Sequence, residues 1–361
     1  MPSATPLVNL HAYEAAAAER LPRMVYDYYA GGAGDERLLR TAREAWDALA
    51  LRYRVLRDVA VRSQRTTLLG HALDWPVLVA PMAFQSLAHA DGELATARAA
   101  EATGAGMILS TLATHGLEAV RRETRGPLWF QLYIYKDRGA TEALVRRAEA
   151  AGCTALVLTV DAPMLGRRER DLLNGFHLPV DLRIPNVGTA PRDQLSQAGI
   201  AASSLADFTR DHWDASISWG DLAWLRAITT LPLLVKGVVR GDDAVLALEH
   251  GAAGVIVSNH GGRQLDTAVP TARALPEVAD AMQGRGTLLV DGAVRRGTDI
   301  VKALALGAQG VLLGRPVLWG LAVDGAVGAQ RVLQLLKDET DLAMALAGCR
   351  TPEEITRDLI A

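Results

Sequence analysis

The stretch Ser258-Asn259-His260-Gly261-Gly262-Arg263-Gln264-Leu265-Asp266 sets a histidine beside two glycines and three residues ahead of an arginine. Glycines let a backbone approach a ligand closely, and histidine is the natural proton acceptor near neutral pH. A guanidinium fork binds a carboxylate through two parallel hydrogen bonds. Together these residues suggest proton removal from a substrate anchored by its carboxylate. The plainer alternative is a turn whose histidine only caps neighbouring backbone.

Three further groups carry chemistry. Asp161-Ala162-Pro163-Met164-Leu165-Gly166-Arg167-Arg168 offers a carboxylate that could orient His260 and stabilise its imidazolium. Arg168 could add a second guanidinium, and of the two adjacent arginines one at most is expected to point inward; a solvated surface pair is the alternative. Asp291-Gly292-Ala293-Val294-Arg295 and Gly314-Arg315-Pro316 combine glycine amides, a helix start and two arginines that supply positive charge. Those are the makings of a phosphate site, whether for substrate or for cofactor. Lys236 follows an apolar run, where burial is costly unless the ammonium meets an anion; a Schiff base is the rival role. No Walker loop, HExxH or GxSxG occurs, and the two cysteines, Cys153 and Cys349, form no metal-ligand pattern.

These groups need a scaffold, and the chain repeats one unit. Short apolar runs fall at Val77–Ala80, Met107–Leu109, Leu128–Leu132, Leu156–Val160, Leu233–Val235, Val255–Val257, Leu288–Val290 and Val311–Leu313. Runs this short, without alternation, suit parallel strands buried on both faces. The segments between them, such as Gly92–Glu101 and Asp137–Ala151, carry helical spacing. Gly104, Gly152, Gly251 and Gly307 stand where left-handed helix caps are wanted. The pattern predicts a (β/α)8 TIM barrel as a single domain over 1–361, with the barrel over 77–340. An N-terminal helical extension covers 1–76, a lid insertion after strand 4 covers about 178–217, and a C-terminal helical tail covers 341–361. A doubly wound sheet is the alternative, but Gly32-Ala33-Gly34 begins a dinucleotide fingerprint that then fails.

Each predicted strand ends in unusual residues: Met82 and Ala83, Ser110, Gln131 with Tyr133, Thr159 with Asp161, Lys236, Asn259 and His260, Asp291, and Gly314 with Arg315. In barrels that end holds the active site, which favours an enzyme. With 361 residues and a net charge of −3, the chain can bury a large core but has no excess basic charge for nucleic acid or anionic membrane. No apolar run reaches the ~20 residues of a membrane helix. The first twenty residues lack a secretory pattern, and Asp358-Leu359-Ile360-Ala361 is no peroxisomal signal, so a cytoplasmic location is expected.

At this level of detail the sequence resembles the FMN-dependent α-hydroxy-acid oxidase/dehydrogenase family, which includes glycolate oxidase, lactate oxidase and mandelate dehydrogenase. The resemblance rests on Val25–Ala33, Phe130–Tyr133, Leu158–Asp161, Leu234–Gly237, Ser258–Asp266 and Asp291–Arg296, in order along nearly the whole chain. It implies a TIM barrel with FMN at the C-terminal face. His260 is then the base and Asp161 its partner, with Arg263, Arg168 and Tyr28 on the substrate carboxylate and Tyr133 on the hydroxyl. Lys236 faces the flavin N1/C2 carbonyl, which answers the Schiff-base alternative. Ala83, Ser110, Gln131 and Thr159 contact the ring, with Ser258 in the same cofactor set; Asp291 binds the ribityl chain, and Arg295, Gly314 and Arg315 bind the phosphate. The resemblance also implies a homotetramer or octamer, and no metal.

Two departures bear on substrate. Glycolate oxidases carry Trp at the position of Leu112 and Thr at that of Met82, so these two residues are expected to widen the pocket and make it more apolar, favouring L-lactate over glycolate. Bulkier 2-hydroxy acids stay open. Ala293 replaces a commoner glycine and is expected to matter if that backbone needs positive φ. The polar composition of Leu178 to Ile217 favours O₂ over a membrane quinone as electron acceptor. A non-redox FMN barrel, such as a type 2 isopentenyl diphosphate isomerase, is disfavoured by the two-arginine clamp, and a silent flavin binder by competent residues at every catalytic position.

Overall fold

The eight apolar runs form a closed barrel of parallel strands in a computed structural model that describes residues 6–187 and 205–361. The strands are β3 (Val77–Val79), β4 (Gly106–Leu109), β5 (Leu128–Leu132), β6 (Ala155–Thr159), β7 (Leu233–Val238), β8 (Gly254–Val257), β9 (Thr287–Val290) and β10 (Gly310–Leu313). They pair in chain order and β10 closes on β3, with Val311 opposite Val77. This is a (β/α)8 barrel. Parallel strands need a crossover each, and helices α4 (Gly92–Thr103), α5 (Leu117–Arg122), α6 (Arg138–Ala150), α9 (Gly220–Ile228), α10 (Gly241–Glu249), α11 (Thr271–Met282) and α12 (Gly297–Ala305) provide them.

Alternation within the strands decides where the polar residues point. Leu78, Ile108, Trp129, Val157, Leu234, Ile256, Leu289 and Leu312 form one buried cluster that fills the barrel, while their strand neighbours pack outward against the helices. Side chains two residues apart share a face. Two positions beyond the filling residues stand Ala80, Ser110, Gln131, Thr159, Lys236, Ser258, Asp291 and Gly314. On six of the eight strands the apolar plug thus hands over to a polar side chain at the C-terminal mouth, Ala80 and Gly314 being the exceptions.

The N-terminal extension closes the N-terminal end of the barrel and contributes Tyr28 and Tyr29 to the C-terminal mouth. Its helices are α1 (Leu10–Arg20), α2 (Arg23–Ala30) and α3 (Arg37–Asp47), followed by a hairpin of β1 (Thr66–Leu68) and β2 (His71–Leu73). Leu68 and Leu73 join the barrel-filling cluster from below, so the hairpin plugs the N-terminal end. The segment 1–76 is in part a stopper.

Two features add to the expected organisation. The insertion about 178–217 carries a helix of its own, α8 (Leu205–His212), after α7 (Glu169–Leu173) just upstream. The spacing Leu205, Phe208, Thr209, His212 is that of one helical face, but it sits in a Ser/Asp-rich stretch that masks it. The part of the insertion from 188 to 204 lies outside the described residues. The boundary at 340 also falls inside one element, α13 (Arg315–Ala347), and the last residues form two single turns, Pro352–Glu354 and Arg357–Leu359. The element has two arms: Asp324 and Gly325 leave helical geometry, the chain folds back on itself there, and the second arm runs on through 340.

At that fold-back Gly320 and Gly328 touch, and a Cβ on Gly328 would lie 2.0 Å from the Gly320 carbonyl oxygen. Gly328→Val is expected to cost about 2–3 kcal/mol of stability by forcing backbone apart, checked by chemical denaturation at unchanged m-value.

Candidate active site

Sixteen of the eighteen residues singled out above line one cavity at the C-terminal mouth, of about 1180 Å³ out to its open edge. The two that do not, Asp161 and Ser258, stand directly behind it. His260 Nδ1 lies 2.8 Å from Asp161 Oδ1, and Lys236 Nζ donates to Ser258 Oγ at 2.8 Å. The sequence therefore placed the whole group in one location.

The His260–Asp161 contact depends on a glycine. Gly237 has φ +110, and a Cβ there would sit 2.5 Å from Asp161 Cβ. A bulge follows, since the β7–β8 register shifts between Lys236 and Val238. Bulges beside active sites re-aim side chains. The result holds Asp161 below the ordinary carboxylate range: burial alone would raise it, but His260 and Lys236 outweigh that. Burial, helped by Lys236 and Arg168, keeps His260 below 6.5 against the pull of Asp161. A neutral imidazole at pH 7 with Nδ1 engaged leaves Nε2 able to take a proton.

Positive charge is concentrated here. Lys236 is buried and forms an ion pair with Asp291 at 3.1 Å, and together with Asp161 this lifts the ammonium above its usual value despite desolvation. Arg168 is 7% exposed, its Nε and Nη1 have no partner, and burial with Arg263 nearby pulls it down to about 10. Its neighbour Arg167 points to solvent, in line with the expectation that at most one of the two turns inward. Arg263 lies over the Tyr28 ring at 4.9 Å and donates to the Tyr28 carbonyl. Burial lowers Arg295 as well.

Arg315 departs from its expected role. Each of its three guanidinium nitrogens donates to a backbone carbonyl, of Tyr29 at 2.8 Å, Gly261 at 2.9 Å and Gly31 at 2.9 Å. It adds charge to the mouth, but its fork is engaged and is not a free phosphate donor. Arg295 is less committed, with one guanidinium bond to the Val294 carbonyl at 3.0 Å.

Several functional contributors were not legible in the sequence. Phe176 stacks on Tyr28 with centroids 4.3 Å apart, and Trp213 stacks on Tyr133 at 3.7 Å. Both tyrosines are thus roofed by aromatics from the insertion after β6. Burial and nearby Asp161 raise the Tyr133 phenol well above 10, so it is a hydrogen-bond donor throughout the working range. On α3, Arg43 Nη1 donates to Ala293 O at 2.8 Å and Trp46 Nε1 to Gly292 O at 2.8 Å. Arg43 also binds Asp299, whose carboxylate accepts the Arg295 amide at 2.9 Å. The extension therefore grips the Asp291–Arg295 loop across some 250 residues of sequence, a contact that no local pattern announces.

The description "FMN-dependent dehydrogenase" matches residues 17–361. The chain belongs to the FMN-dependent dehydrogenase family. It is 50% identical to glycolate oxidase of Spinacia oleracea over 98% of this chain and 96% of that one. Identity to L-lactate oxidase of Nostoc sp. is also 50%, covering 96% of both. A crystal structure of mandelate oxidase with (S)-4-hydroxymandelic acid superposes with a TM-score of 0.92 at 41% identity, covering 98% of each chain.

The family's cofactor fits the residues present. Buried polar atoms without partners are uncommon, since each costs about 1–3 kcal/mol. Here Gln131 Nε2, Asp161 Oδ2, Asp291 Oδ1 and the Arg168 nitrogens are all orphaned around one cavity. An amide donor and the Ser110 and Thr159 hydroxyls suit a polar heteroaromatic ring. The Asp291 carboxylate suits ribityl hydroxyls, and Arg295 with the first amides of α13 suits a phosphate.

Two predictions follow from this geometry. Because the base must be neutral and His260 is held below 6.5, kcat/KM is expected to stay level down to that pH. The fall of about tenfold per unit is expected only at lower pH, where the buried His260 at last takes a proton, read from a pH–rate profile. Ala293 has φ +57 and meets the condition attached to it above. Ala293→Gly is expected to stabilise the protein by about 1 kcal/mol in a thermal melt, without weakening FMN binding.

Proposed function

We propose that this chain oxidises a small L-2-hydroxy acid to the 2-oxo acid, with L-lactate preferred over glycolate, and that O₂ leaves as H₂O₂. The observation that carries the reading is the meeting of a neutral, carboxylate-oriented histidine with a buried guanidinium whose donors are free, in a cavity lined by cofactor-competent residues. When bound, FMN accepts the two electrons released from the substrate C–H bond and passes them to O₂.

The side chains divide the remaining work. Arg168, with two unpartnered nitrogens, holds the substrate carboxylate, and Arg263 and Tyr28 flank it. His260 takes the hydroxyl proton as the carbonyl forms, and Asp161 stabilises the resulting imidazolium. Tyr133, protonated and roofed by Trp213, donates to the developing carbonyl oxygen. Lys236 places a fixed positive charge against the electron-accepting ring, where desolvation makes it strong. Ala83, Ser110, Gln131 and Thr159 hold that ring, with Ser258 setting the Lys236 ammonium. Asp291, Arg295, Gly314 and the Arg315 amide hold the ribityl phosphate. The net reaction balances as hydroxy acid plus O₂ giving oxo acid plus H₂O₂.

Substrate choice rests on Leu112 and Met82, both lining the cavity. A leucine there leaves room for a methyl group, and the apolar wall favours it by about 1–3 kcal/mol. The structural likeness to mandelate oxidase supports a second reading, in which bulkier 2-hydroxy acids are accepted. A polar insertion supports O₂ as acceptor over a membrane quinone, and among the described residues no helix is long and apolar enough to cross a membrane. We place the protein in the cytoplasm, with no nucleic-acid or membrane partner. A homotetramer, or an octamer of such units, is supported by exposed apolar Tyr53, Val55, Leu56 and Val61 along the end of α13, beside exposed Leu346.

The test mixes the purified FMN-loaded protein with glycolate, L-lactate and (S)-mandelate while following anaerobic bleaching and aerobic peroxide. L-Lactate is expected to give the highest kcat/KM, and Leu112→Trp to shift the lactate-to-glycolate ratio about 10–200-fold toward glycolate. Greater activity on glycolate overturns the substrate assignment, greatest activity on mandelate favours the second reading, and bleaching without peroxide overturns the oxidase.

A further inference from the structure

Arg315 and the three residues from His260 to Gly262 together point to a device outside the chemistry just described. The Arg315 guanidinium is buried where solvation cannot help it, and burial with neighbouring arginines pulls it down to about 9. Its partners come from two places. Tyr29 O and Gly31 O are carbonyls at the C-terminal end of α2, the helix that carries Tyr28, and Gly261 O directly follows His260. The last carbonyls of a helix have no intrahelical donor and form the negative end of its dipole, so a planar cation fits them well.

The loop it holds is strained. His260, Gly261 and Gly262 have φ of +56, +66 and +75, three successive residues in the left-handed region. For a histidine such backbone costs free energy and persists only when its surroundings impose it. The surroundings here are α2, the loop after it and the first residue of α13: Arg263 reaches back to the Tyr28 carbonyl, Ala33 N donates to Gly262 O at 2.8 Å, and Arg315 donates to Gly261 O.

We propose that Arg315 is a positioning residue that bolts the Tyr28 helix to the His260 loop, so that one cation sets the carboxylate-side tyrosine and the base in a single geometry. The proposal rests on the reading that Tyr28 and His260 act on a 2-hydroxy acid. It assigns the guanidinium to the protein backbone and leaves phosphate binding to Arg295 and to amides.

The experiment uses the full-length protein as wild type, Arg315→Met and Arg315→Lys. Amide hydrogen exchange over residues 28–34 and 260–263 is expected to speed up at least tenfold in Arg315→Met, with the barrel strands unchanged and Arg315→Lys intermediate. Tyr28→Phe, made in both the wild-type and Arg315→Met backgrounds, is expected to lower kcat/KM in the first and less than twofold in the second, because residues acting through one constraint are not additive. FMN and riboflavin titrations are expected to shift together, by less than threefold. The clamp is overturned if exchange is unchanged, if the two penalties multiply, or if FMN affinity falls a hundredfold while riboflavin affinity holds, which would make Arg315 a phosphate ligand. If Arg315→Met does not fold, Arg315→Lys carries the same three readouts. A wild type inert toward every 2-hydroxy acid defeats the functional reading alone, and the exchange data then still decide the clamp.

Discussion

Five cationic side chains, Lys236, Arg168, Arg263, Arg295 and Arg315, converge on one cavity, with Asp161 and Asp291 bonded to residues of its lining and Asp171 and Glu14 acting on the arginines from farther off. Buried like charges repel and lack solvation, so such a cluster is costly unless anions enter it. The rest of the molecule can be read as the means of tolerating that excess. Asp291 meets Lys236, backbone carbonyls meet Arg315 and part of Arg263, and two nitrogens of Arg168 are left buried without a partner beside the cavity that Arg168 lines. The phosphate of FMN would supply part of the missing negative charge, and in the proposed reaction the carboxylate of the substrate would supply the rest.

The barrel contributes rigidity and aim. Its interior is filled by apolar side chains, so the polar ring above them cannot sink, and the pleat sends alternate residues inward on every strand. The bulge after Lys236 and the bare Gly237 then let Asp161 lean toward His260. Small backbone departures thus convert a symmetric scaffold into an asymmetric site.

The N-terminal extension is as much part of the site as the barrel. Helix α2 brings Tyr28 and offers its carbonyls to two arginines, while α3 holds the Asp291–Arg295 loop through Arg43 and Trp46. The insertion after β6 adds the aromatic roof, Phe176 over Tyr28 and Trp213 over Tyr133. Dividing the site among four segments ties the order of each to the others.

The amino-acid sequence by itself determined the barrel and picked out sixteen of the residues that line the cavity at its mouth. Strand runs are local apolar signals, and polar residues at strand ends are conspicuous because burial there needs a reason. His260, Asp161 and Lys236 were legible in this way, and so was the sensitivity of Ala293 to backbone sign. What only the tertiary structure decided were the partnerships. Arg315 and Arg295 look alike in sequence, yet one is engaged with carbonyls from elements far away along the chain. Arg43, Trp46, Phe176 and Trp213 gave no signal, because each acts through a contact distant in sequence. A residue's type and local spacing state what it can bind; which partner reaches it first depends on how the closed barrel brings remote segments together.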